Sequence, residues 1–126
     1  MSRRSSREHA LQFLYGQLIN PDIEYDSLGH TESAVDKIYT QALIDAVHEH
    51  LDAIDQKISS HSSKWSIQQM NKVDATILRI AIAERIYLPE ADVNKAITIN
   101  EALELARLYS GEESVPFING VLNAAL

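Results

Sequence analysis

Three arginines near the N-terminus, Arg3, Arg4 and Arg7, come closest to specifying a chemistry. A guanidinium presents a planar fork of N–H donors that matches the oxygens of a phosphate. The spacing places Arg3, Arg7 and Leu11 one helical turn apart on the same side of an N-terminal helix. Cations at a helix N-terminus oppose the macrodipole, so the arrangement favours binding over stability. The alternative reading is a solubilising terminus. No other residue set suggests a reaction. The five histidines, at positions 9, 30, 48, 50 and 61, form no metal-ligand spacing, and His48 and His50 point to different sides of a helix. There is no cysteine for a disulfide, a thiolate ligand or a nucleophile. The four glycines are scattered, so no loop cradles a phosphate. Serine, histidine and aspartate are present without a spacing that specifies a triad. The sequence therefore points to binding surfaces, with no catalytic residue, no metal and no cofactor.

The charge that surrounds the arginines is uneven. Residues 1–20 carry Arg3, Arg4 and Arg7 against Glu8, a balance of +2. Residues 21–60 carry nine acids against Lys37 and Lys57, a balance of −7, and the remainder carries six bases and eight acids. A basic end is thus attached to an acidic body of net charge −7 overall, which taken whole disfavours nucleic acid. With 126 residues and 45% hydrophobic content, one domain with a real core is expected over residues 1–126. No apolar run is long enough to cross a membrane and no signal-peptide pattern opens the chain, so a cytoplasmic protein with no membrane partner is expected.

Helical periodicity runs through most of the chain. A first helix is expected from Ser5 to Ile19, capped by Ser5 or Ser6 with Glu8 completing a capping box. Its apolar face is Leu11, Leu14, Tyr15, Leu18 and Ile19. Asn20-Pro21-Asp22 ends it, and residues 21–32, with Gly29, read as a loop. A second helix starts near Thr31 or Ser33 and keeps its stripe, from Val35 to Ile58, for a rod of roughly 40 Å, with room for a bend. Its acids Asp36, Asp45, Glu49, Asp52 and Asp55 read as a solvated face. Trp65 precedes a short helix from Ser66 to Gln69 or Met70. Val73 to Ile86 is apolar nearly all round and must be surrounded by other helices. Arg79 within it must reach the surface or a carboxylate.

The last stretch, INEALELARLYSGEESVPFINGVL from Ile99 to Leu122, reads as two helices joined at Ser110-Gly111. Ile99, Ala102, Leu103 and Ala106 form one stripe, and Ile118, Val121, Leu122 and Ala125 the other. Pro116 and the Glu112-Glu113 pair suit the first turn of the second helix. Asn100 and Glu101 are polar in an apolar setting. Gly120 inside a helix costs about 1 kcal/mol against alanine, so close approach of another backbone is expected there.

INEALELAR, YSGEES and FINGVLN, with RREHALQFLYGQL near the start and Trp65 before VDATILRIA, resemble the signature of the NusB family of transcription antitermination factors. The resemblance spans nearly the whole chain; residues 21–60 match only in length and helical character. It implies an all-α fold of about seven helices in two small bundles sharing a core, with an N-terminal helix bearing the arginines. It also implies binding of boxA-type single-stranded RNA together with small-subunit ribosomal protein ten (also called NusE). Other antitermination factors and RNA polymerase are engaged indirectly, and elongation is supported notably on ribosomal RNA operons.

Residue by residue, the resemblance assigns RNA contact to Arg3, Arg4, Arg7, Tyr109, Glu113 and Phe117, and protein-partner contact to Tyr15 and Asp74. Core packing is the alternative for Tyr109, Phe117 and Tyr15, and a helix N-terminal charge for Asp74. The sequence departs from the family pattern at Ser5, where a further arginine is frequent, and at Asn94 and Ala96, where proline and lysine are common. It also ends at Leu126 without the basic tail of some members. These departures predict fewer phosphate contacts. A second reading is therefore a protein-interaction or self-associating module of the same fold, with the arginines buried in a homodimer. A third is the accessory RNA-binding domain of ribosomal RNA methyltransferases, which could not catalyse alone.

Overall fold

The computed structural model describes residues 3–25 and 34–126. Six α-helices stand in it: α1 (Arg3–Ile19), α2 (Ala34–Glu49), α3 (Leu51–His61), α4 (Lys72–Tyr87), α5 (Lys95–Tyr109) and α6 (Ser114–Ala125), with a single 3-10 turn at Pro89–Ala91. The all-helical expectation holds. The predicted start at Thr31 or Ser33, Gly29 of the predicted loop, His30 and the side chain of Val35 lie outside the described residues.

Helix α4 is the shared centre. It packs on α1 and α2 on one side and on α3, α5 and α6 on the other. Ile77, Leu78, Ile80 and Ile82 point round its circumference and are all essentially inaccessible to water. A helix apolar on every side can satisfy itself only at such a centre. Its start is fixed by Asn71, whose side chain accepts hydrogen bonds from the backbone of Val73 (2.8 Å) and Asp74 (3.2 Å). Arg79, as expected, reaches a carboxylate: it forks over Asp55 of α3 at 2.8 and 2.9 Å.

Several sequence expectations change. Helix α1 begins at Arg3, so Ser5 and Ser6 lie inside it and not at its start. Ser6 is fully buried and donates to the backbone carbonyl of Asp36 (3.1 Å), joining α1 to α2. The inner face of α1 is Ala10, Leu11, Phe13 and Leu14, whereas Tyr15, Leu18 and Ile19 point outward. The predicted rod is two helices that break at His50, with φ −118° and ψ 22°. There the His50 ring stacks on Tyr87 of α4 with centroids 3.8 Å apart. The bend wraps the chain around α4, which a straight rod could not do. Asp36 is buried and Asp55 is paired with Arg79, so the supposed acidic face is not uniformly solvated. Ser66 to Met70 forms a hydrogen-bonded turn instead of a short helix.

In α5 and α6 the stripe residues Ala102, Ala106, Ile118, Val121, Leu122 and Ala125 are buried, joined by Thr98 and Leu105. Gly111 ends α5 at φ +156°, a region where a side chain is strained. Gly120 needs no such account. A Cβ added there meets nothing within 4 Å, so the expected close approach of another backbone is absent.

Candidate nucleic-acid interface

The three arginines start a helix whose inner face must dock against α2 and α4. The side chains of Arg4 and Arg7 meet acids supplied by α4 and α5. Arg7 is only 6% exposed, and its Nε donates to both carboxylate oxygens of Glu84, at 2.8 and 3.1 Å, with Glu84 itself 1% exposed. The Tyr39 hydroxyl donates to the same carboxylate. Burial and this hydrogen bond push the Tyr39 phenol well above its usual value. A second arm of Arg7 reaches Glu101 at 3.2 Å. Arg3 donates to the backbone carbonyl of Ala91 and lies over the Tyr39 ring, 4.8 Å from its centroid. It therefore ties α1 to the 3-10 turn before α5.

Arg4 differs from its neighbours. Its side chain is 57% exposed, and it forks over Glu101 with bonds of 3.0 and 2.8 Å. Hydrogen bonding from Arg4 holds the Glu101 carboxyl below the usual carboxylate range. Arg3 and Arg4 are both exposed, and of these two only Arg4 is held by a side-chain carboxylate.

The other expected RNA residues lie on the α5–α6 side. Tyr109 is half-exposed; its hydroxyl donates to Glu8 of α1 (2.7 Å) and accepts from Gln12 (3.1 Å). Burial and the Glu8 hydrogen bond raise its phenol. Its hydroxyl is engaged while part of the ring faces solvent. Glu113 is exposed in the turn before α6. Phe117 is half-buried, its ring edge-on to Trp65 at 5.1 Å, and Lys64 Nζ stands 4.4 Å from the Trp65 ring centre. Pro116, Phe117 and Gly120 face His61, Ser62, Ser63 and Lys64 across an open hollow of about 280 Å³. Glu8 and Gln12 connect Tyr109 to α1, so Arg4 and Tyr109 share one flank. Phe117 and Trp65 form an aromatic pair at the start of α6.

The two expected protein-partner residues separate. Tyr15 is 36% exposed on the outer face of α1, followed by the exposed Leu18 and Ile19. Asp74 is 3% exposed, and its two oxygens accept from Ser110 (2.6 Å) and Ser114 (2.9 Å). It clamps the start of α4 to the α5–α6 turn and offers no free carboxylate to a partner. Sequence reasoning missed Glu84, Tyr39 and the pairing of Glu101. One signal was available: Glu84 is the one acid of the central helix beyond its first turn, and a buried carboxylate requires a cationic partner.

An exposed arginine and partly exposed aromatic rings on a helical scaffold are groups suited to extended, charged partners. The chain belongs to the NusB family, whose family model matches residues 4–126. It is 36% identical over 124 residues to the transcription antitermination protein NusB of Lysinibacillus sphaericus, covering 98% of this chain and 95% of that protein. The solved structure of T. maritima NusB superposes with a TM-score of 0.88 at 29% identity, over 99% of this chain and 90% of that one. A crystal structure of the antitermination factors NusB and NusE in complex with double-stranded RNA superposes with a TM-score of 0.85 at 25% identity, over 98% and 94%. Among the described residues no helix is long and apolar enough to cross a membrane.

Proposed function

We propose that this protein is a non-catalytic, cytoplasmic transcription antitermination factor. Acting as one helical domain, it binds boxA-type RNA together with ribosomal protein ten (NusE) and supports elongation by RNA polymerase. The observation that carries this reading is the near-complete superposition on a NusB bound to NusE and RNA. The exposed Arg4 and the Tyr109 and Phe117 rings suit a strand whose phosphates and bases are both accessible. Arg3, Glu113 and the Trp65 edge flank that path. Arg7 acts through position: its ion pair with Glu84 holds α1 so that Arg4 faces outward. Tyr15, with Leu18 and Ile19, forms the surface for the protein partner, and Asp74 shapes the neighbouring turn.

The test is binding of a boxA-like RNA over a salt series, with and without NusE. Wild type is expected to bind more weakly as salt rises and more tightly with NusE. Arg4→Ala should weaken binding and flatten the salt slope by about 0.7 on a single strand. Salt-independent binding, no enhancement by NusE, or an Arg4→Ala variant indistinguishable from wild type would defeat the reading. Substituting all three arginines together is a poor probe, because Arg7→Ala leaves Glu84 buried without its cation.

A second reading has its own observation. All three arginines are engaged by groups of the same chain, and Leu18, Ile19 and Leu108 expose apolar surface. A self-associating adaptor with weak RNA binding fits that pattern. Sedimentation separates the two: a dimer at micromolar concentration whose RNA affinity is unchanged by Arg4→Ala favours the adaptor.

A further inference from the structure

We infer that Glu101 is an internal competitor for RNA, occupying on Arg4 the place that a backbone phosphate takes in the complex. The inference rests on the RNA-binding reading above and names the residue that sets its affinity.

A carboxylate and a phosphate present similar paired oxygens to a guanidinium fork, so the two can engage the same edge of Arg4 in turn. Glu101 holds the Nε and Nη2 edge of Arg4, so a phosphate that takes this edge must displace it, and only the Nη1–Nη2 end of the fork stays open. The Glu101 side chain is 18% exposed and is also tethered to Arg7, so it stays beside the site after Arg4 has left it. An arriving phosphate thus loses twice: it must displace one negative charge and then remain near it. Displacement is still feasible, because an ion pair this open to water is worth little. Arg7 and Arg3 offer no such exchange. The first is buried on Glu84, and the second caps a backbone carbonyl. Arg4 with Glu101 is therefore where the folded state and the RNA compete for one cation.

Glu101→Gln removes the charge while keeping a carbonyl oxygen to accept from Arg4 and Arg7, and the Arg7–Glu84 pair remains to hold α1. Anisotropy of a labelled boxA-like RNA, over a salt series, reads the result. Glu101→Gln should bind about fivefold tighter than wild type, the factor equivalent to one exposed ion pair. Its salt slope should stay close to that of wild type, since Arg4 meets one phosphate in both complexes. Adding Arg4→Ala to Glu101→Gln should abolish the gain. A folded Glu101→Gln protein with unchanged affinity, while wild type binds, overturns the role of Glu101 alone. Absence of RNA binding by both proteins overturns the functional reading and this inference with it. If Glu101→Gln does not fold, the Arg4 Nε–H resonance of wild type decides. It should shift on RNA addition as the Glu101 bond breaks, and an Arg4 signal that stays in place in the RNA complex overturns the inference.

Discussion

Arg7 donates to both oxygens of Glu84 in a setting almost closed to water. Removing one partner of a buried pair leaves the other charged and uncompensated, which costs about 3–5 kcal/mol. Arg7→Ala is therefore expected to lower the urea midpoint strongly, through stability and not through RNA. A midpoint equal to wild type would return Arg7 to the RNA-contact role that the family resemblance implied. The sequence placed Arg3, Arg4 and Arg7 on one helix but left their partners invisible. Glu84 and Glu101 lie far away along the chain, and periodicity carries no information about which distant carboxylate meets which guanidinium. Asp74 shows the same limit. Its place in the first turn of α4 was legible, whereas its clamp on Ser110 and Ser114 depends on how the α5–α6 turn docks.

At the scale of elements, the ends of helices are set by short-range chemistry and are open to direct test. Asn71 accepts from two backbone N–H groups of the first turn of α4. Asn71→Ala should cost about 1 kcal/mol, read as a lower melting temperature, with Asn71→Asp close to neutral. Gly120 lies exposed within α6 with open space where a Cβ would stand. Gly120→Ala should therefore stabilise the protein by about 0.5–1 kcal/mol, since alanine loses less backbone entropy in a helix. A lower melting temperature for Gly120→Ala would restore a close-packing role. The helices α4, α5 and α6 were readable because their apolar stripes and the Ser110-Gly111 stop are local. The break between α2 and α3 was not readable. The apolar spacing continues through His50, and the chain bends there because the second half must follow α4, where His50 meets Tyr87.

For the whole molecule, the junction of α1 with the body makes stability depend on pH at both ends of the scale. Arg4 depresses the Glu101 carboxyl, so its contribution is fully present above the unfolded value of about 4.3 and is lost as pH falls through the folded value. Tyr39 is raised, so its contribution is present below about pH 10 and is lost as pH rises further. Urea midpoints should fall below about pH 4 and above about pH 10. Glu101→Gln should flatten the acid limb and Tyr39→Phe the alkaline one, and unchanged limbs in these variants would refute the assignment. By itself the sequence determined the all-helical class, the central position of α4, the hairpin of α5 and α6 and the family, because these follow from local periodicity and an ordered run of motifs. Only the tertiary structure decided that Arg7 is buried on Glu84 and that the exposed Arg4 is paired with Glu101. Those outcomes depend on which charges the packing of α1 against α4 and α5 brings within hydrogen-bond reach, and on how much water it leaves around each.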